Sequence, residues 1–148
     1  MVHSDDSIAV EKGLRALYNL SLDPHNIDII IELDGARAVV QGLTSHPESS
    51  AIQEIGCASL ASLANHSYDS KLIIVDEEAL DALVMSMVLN SEDPGVQSQA
   101  CRALHMLCIP ENFQPMFAAN IVELVTVAGE KFPECKDSYD AIIRVMDL

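Results

Sequence analysis

Gly13-Leu-Arg-Ala-Leu-Tyr-Asn-Leu20, Gly56-Cys-Ala-Ser-Leu-Ala-Ser-Leu63 and Ala100-Cys-Arg-Ala-Leu-His-Met-Leu107 are three versions of one octet, starting 43 and then 44 residues apart. A fourth, weaker version, Ala141-Ile-Ile-Arg-Val-Met-Asp-Leu148, starts 41 residues after the third. Self-similarity at such a period signals stacked helical units, because one unit cannot bury its own apolar face alone. Around the octets, apolar residues recur at helical spacing: Leu14, Leu17 and Leu20; Ile52, Leu60 and Leu63; Val96, Leu104 and Leu107. Each octet therefore belongs to a long helix, and the fold class is all-α.

Outward from each long helix, a loop leads to a short helix at about 26–33, 70–76 and 112–118. A third element begins near Gly35, Ala79 and Asn120. Its aligned apolar positions are Ala36, Val39 and Val40; Leu80, Leu83 and Val84; Ile121, Leu124 and Val125. Pro24 and Pro110 follow long helices, and Pro47, Pro94 and Pro133 precede the next one, as suits a residue that lacks a backbone donor and clashes in helix interiors. Pro115 falls in the first turn of a short helix. Small residues open every octet (Gly13, Gly56, Ala100, Ala141) and predict close approach of a neighbouring helix, which must offset the roughly 1 kcal/mol that mid-helix glycine costs against alanine. The expectation is one domain over 1–148: a lone long helix at 7–22, then three-helix repeats at about 23–65, 66–109 and 110–148. The last segment is apolar on most sides, as if it belonged to a longer array or paired its C-terminal face with something.

Composition narrows the function. With 49% hydrophobic and 21% charged residues the chain is globular rather than disordered. The formal charge of −15 argues against nucleic acid, whose phosphates need clustered Lys and Arg, and against anionic membranes. No apolar run reaches the 18 or so residues of a membrane span, and Met-Val-His-Ser-Asp-Asp is not the start of a secretory signal. Cys57, Cys101, Cys108 and Cys135 lie in or beside helical patterns and are expected to be reduced thiols in a cytoplasmic or nuclear protein. The sequons Asn19-Leu-Ser21 and Asn65-His-Ser67 are discounted on the same grounds.

The pieces Asn26 to Ile31, Gly35 to Val40, Ile52-Gln53-Glu-Ile-Gly56-Cys-Ala-Ser-Leu60, Val96-Gln97-Ser-Gln-Ala100-Cys-Arg-Ala103-Leu104 and Ala16-Leu17-Tyr-Asn19-Leu20-Ser21 together resemble armadillo repeats. The likeness runs from about residue 7 to 148, and the period disfavours tetratricopeptide units, which need 34 residues. It implies a right-handed α-solenoid of three-helix repeats that binds extended partners along a groove lined by the third helix of each repeat. By this resemblance Asn19 matches the family's groove asparagine, with Ser62 and Met106 at the equivalent positions. Arg15, Ala58 and Arg102 stand where the importin-alpha branch has tryptophan, so the likeness does not extend to classical nuclear-localisation peptides.

On helical spacing Arg15 neighbours Asn19, Arg102 neighbours Met106, and Lys12 and Gln99 extend the stripes by a turn. The long-helix segments 7–22, 50–64 and 95–108 hold Lys12, Arg15 and Arg102 against Glu11 and Glu54, a net +1; the remainder holds 21 acidic and 5 basic residues, a net −16. The groove residues expected to contact a partner protein are thus Lys12, Arg15, Asn19, Ser62, Gln99, Arg102 and Met106, and the segment they suit is acidic. The acidic remainder reads as a solvated face.

Other chemistry is weaker. Cys101, His105 and Cys108 share a helical face at i, i+4 and i+7, but no fourth ligand suits a structural zinc site, and Cys57 aligning with Cys101 reads as repeated packing. Cys101 and His105 lack an orienting group and oxyanion donors for nucleophilic catalysis. There is no phosphate loop, calcium loop or His-Glu-x-x-His. Asp76-Glu77-Glu78 and Asp5-Asp6 read as charges preceding helix starts, where they complement the dipole. The expected function is a non-enzymatic protein–protein interaction scaffold without metal or cofactor. Two alternatives remain: a regulatory or adaptor subunit, such as a small-GTPase regulator, and a structural module self-associating through its C-terminal helix.

Overall fold

The structure, a computed structural model, describes residues 2–148, with side chains from residue 6 onward. Ten α-helices and no strand occur among the described residues. They are α1 (Val2–Ser21), α2 (Pro24–Glu32), α3 (Gly35–Ser45), α4 (Ser50–Ala64), α5 (Tyr68–Asp76), α6 (Ala79–Leu89), α7 (Pro94–Leu107), α8 (Phe113–Ala118), α9 (Ile121–Lys131) and α10 (Lys136–Val145), with 3-10 turns at Pro110–Asn112 and Pro133–Cys135. None is long and apolar enough to cross a membrane. The four octets fall in α1, α4, α7 and at the end of α10. α1 starts well before residue 7, so Asp5 and Asp6 lie inside it rather than ahead of it.

α4 packs between α1 and α7, and α7 also meets α10; α3 touches α6, which touches α9. One continuous core runs through these contacts, with Ile52, Leu60, Leu63, Leu83, Leu104, Leu107, Met116, Ile121 and Ile142 fully buried. At the end of α10 and just beyond it, Ile142 and Met146 are buried, whereas Val145 and Leu148 are exposed.

Polar side chains tie successive helices at matching stations. Gln53 Nε2 donates to the carbonyls of Leu43 and His46, both at 2.9 Å. Gln97 Nε2 donates to those of Met87 (2.8 Å) and Asn90 (2.9 Å). Both glutamines are buried, and both reach the C-terminal end of the preceding helix, where carbonyls lack intrahelical donors. At the other junction, Asn26 donates to Leu20 O (3.0 Å) and Asn112 to Leu107 O (2.8 Å), while Ser70 reaches Ala64 O at 3.4 Å. Asp93 and Ser49 cap α7 and α4 by accepting from backbone N–H groups. Pro24 and Pro94 open their helices, where a missing donor costs nothing.

Two expectations change. Asp76-Glu77-Glu78 stands only partly ahead of a helix: Asp76 ends α5, Glu77 follows it and pairs with Arg37 Nε at 2.9 Å, and Glu78 is the residue immediately before α6, without a side-chain cap bond. Glu78 (φ 66°), Asp34 (φ 60°) and Asn120 (φ 59°) are all left-handed, so each short-to-middle corner turns through one such residue. The small octet residues also divide. A β-carbon on Gly56 would lie 2.5 Å from Leu43 Cδ2, the expected close approach, whereas one on Gly13 would meet nothing within 4 Å. Gly13 sits on the solvent side of α1. Gly13→Ala is therefore expected to raise stability by about 0.5–1 kcal/mol and Gly56→Ala to lower it by about 1–3 kcal/mol. Urea unfolding of the two variants checks this, and equal effects of one sign would contradict the packing described.

Candidate functional site

The outward strip of α4 is Ala51, Glu54, Ile55, Ala58 and Ser62, at the three-to-four-residue spacing of one helical face. Three of the five are small, so α4 forms a low floor between longer side chains of α1 and α7. Two hollows open along it. One, of about 280 Å³, is lined by Arg15 and Tyr18 of α1, by Ala51, Glu54, Ile55 and Ala58 of α4, and by Gln99 of α7. The other, of about 300 Å³, lies at the C-terminal ends of the same helices, with Ser62, Asn65, Leu22, Ile27 and Arg102 among its walls.

Of the residues expected to face a partner, Arg15 and Gln99 share the first hollow and Ser62 and Arg102 share the second. Lys12, Asn19 and Met106 line neither. Lys12 and Asn19 are exposed on α1, and Met106 is half-buried against the core. Ser62 is already engaged: it accepts from Ser21 Oγ at 2.8 Å and reaches Ser21 O at 3.3 Å, tying α4 to the end of α1. Tyr18, Glu54, Ile55 and the Asn65–His66 corner were not anticipated as lining. Their signal was the spacing of the α4 strip; it was masked because α4 carries small or apolar residues on nearly every side.

Charge in the first hollow is mixed. Arg15 approaches Glu11 at 3.4 Å in an exposed i,i+4 pair. The Glu54 carboxylate lies over Gly95 at the start of α7, where a β-carbon would come within 2.8 Å of Oε2. An anion there meets the positive end of the α7 dipole. Arg102 is exposed and forms no ion pair among the described residues. Gln99 is half-buried, and its Oε1 is shielded from solvent with no hydrogen-bond donor among the described residues. A buried acceptor left unmade costs about 1–3 kcal/mol.

The cysteines are all buried. Burial pushes the Cys57 thiol up to about 12 and Cys108 up to about 11; Cys101, which neighbours Cys135, and Cys135 itself are also raised, by burial first. His105 is lowered by burial and then by the nearby Lys71 charge. Raised thiol values keep these groups protonated and non-nucleophilic near neutrality. Among the described residues no three His, Cys, Asp or Glu side chains gather as a metal-ligand set. At pH 8 a thiol-reactive aromatic disulfide is expected to label essentially none of the thiols in the native protein and all four after denaturation. Rapid native labelling would show that a thiolate is exposed.

No protein-family model matches this chain, and no curated protein matches it. A solved structure, the crystal structure of an engineered protein, is similar in fold, with a TM-score of 0.81 at 24% sequence identity. The match covers 93% of this chain and 56% of that one, so the chain spans little more than half the length of the protein it resembles.

Proposed function

We propose that the chain is an armadillo-type α-solenoid acting as a non-enzymatic interaction scaffold in cytoplasm or nucleus. Its α1–α4–α7 face would receive an extended, acidic segment of a partner protein. One observation carries the reading: an unpartnered, solvent-shielded acceptor, Gln99 Oε1, sits beside a low helical floor flanked by Arg15 and Arg102. The succession α1, α4, α7, α10 alongside α3, α6, α9, with the same glutamine tie at the α3–α4 and α6–α7 stations, supports the solenoid reading.

The proposed mechanism follows from the parts. Small residues on α4 let a backbone approach closely, and a turn of the Gln99 side chain brings Oε1 out of its shielded position to accept one of the segment's N–H groups. The guanidinium forks of Arg15 and Arg102 take carboxylates in two-pronged hydrogen bonds, roughly twice as strong as neutral ones. Helices α1, α4 and α7 are held in place by the core, so the partner segment carries most of the ordering cost.

The test compares partners captured by the intact chain and by Arg15→Glu/Arg102→Glu, with thermal melts showing that both are folded. Acidic partners lost with the double variant, by about tenfold or more, support the groove. The same partners retained by both would overturn it.

A further inference from the structure

A second surface stands apart from the α1–α4–α7 face. α6 reads Ala79-Leu-Asp-Ala-Leu-Val-Met-Ser-Met-Val-Leu89, with Asp81 its only charge. A helix that is apolar all round is normally covered all round. α6 is not: Met85, Val88 and Leu89 are 54%, 55% and 56% exposed. At the same stations α3 carries Gln41, Thr44 and Ser45, and α9 carries Val127, Glu130 and Lys131. The bare apolar face therefore belongs to α6, extended by Val127, 57% exposed, on its neighbour α9.

Between the two helices opens a hollow of about 410 Å³, floored by Met87, Leu124, Ala128 and Phe132. Its surroundings are acidic. Asp81 and Glu123 lie on the exposed sides of α6 and α9, Glu130 lies one turn beyond Val127, and Glu92 follows α6. Lys131, the cation among the described residues that line the hollow, is held by Glu92 at 2.5 Å. Contiguous apolar surface with a polar rim marks an interaction site more often than chance exposure does.

From this juxtaposition we propose that the α6–α9 cleft docks a basic amphipathic helix of a partner protein. Apolar side chains at i, i+3 or i+4 and i+7 fill the hollow and cover Met85, Val88 and Leu89, while flanking Lys and Arg meet Asp81, Glu123 and Glu130. The eleven-residue helices α6 and α9 offer a track of about 16 Å, which fits roughly three turns of helix. Charge selects this occupant over a second copy of the chain, since each copy brings a net −15, and over an anionic lipid surface, which the acidic rim repels.

The probe is a labelled Leu/Lys amphipathic peptide of about 18 residues, with Leu at helical spacing, followed by fluorescence anisotropy. Its controls are the same peptide with Glu for Lys and with Ser for Leu. The informative variant gives α6 the residues of α3: Met85→Gln, Val88→Thr and Leu89→Ser, all at exposed positions. The Leu/Lys peptide is expected to bind the native chain at least about tenfold more tightly than either control, and at least about tenfold more tightly than the triple variant binds it. Arg15→Glu/Arg102→Glu should leave this binding unchanged, which separates it from the groove. Equal binding of the Ser control or by the triple variant would overturn the proposal, as would a native dimer that the triple variant converts to a monomer.

Discussion

Two buried side-chain amides, those of Gln53 and Gln97, set how the rest of this molecule is arranged. Each donates both Nε2 hydrogens to carbonyl oxygens at the end of the helix before its own. Leu43 O and Met87 O lie where a helix has run out of its own donors, whereas His46 O and Asn90 O also accept from the backbone N–H of Ser49 (3.2 Å) and Asp93 (3.1 Å). Without the amide, Leu43 O and Met87 O would be left unmade, at about 1–3 kcal/mol each. Apolar packing is non-directional and would tolerate a range of crossing angles. Two short hydrogen bonds from one planar amide tolerate far fewer, so the clasp orients α4 against α3 and α7 against α6.

From that constraint the faces follow. α4 lies between α1 and α7 and shows solvent only a narrow strip, in which Ala51 and Ser62 are small. The hollows beside Arg15, Gln99 and Arg102 are a consequence of that strip. The middle helices α3, α6 and α9 are brought side by side on another surface, where α6 shows apolar residues at stations that are polar in α3. The α9-to-α10 junction departs from the scheme: a 3-10 turn at Pro133–Cys135 leads directly into α10, and Ser138 stands 41 residues after Gln97.

The periodic features were legible from residues alone. The octets located the long helices and the prolines located their starts, and Ile52-Gln53 and Val96-Gln97 recurred at one station, although no letter showed that the two amides reach the preceding helix. What stayed hidden depended on the third dimension. Gly13 and Gly56 are the same letter in the same register, yet only Gly56 faces a packed neighbour. Glu78 does stand at the start of α6, but its left-handed backbone, shared with Asp34 and Asn120, was not legible from its charge. Ser62 and Met106 fell at groove stations by alignment, but one is tied to Ser21 and the other packs on the core. Glu54 was counted as a charge without its place over the first turn of α7, which only tertiary packing reveals.

The clasp can be observed without altering the protein. In D₂O, side-chain amide protons of Gln53 and Gln97 should persist in NMR spectra long after those of the exposed Gln41 and Gln114 have vanished, because each is buried and bonded to two carbonyls. Exchange of all four side chains at the same fast rate would mean that the amides are not held, and that something other than these bonds orients the helices.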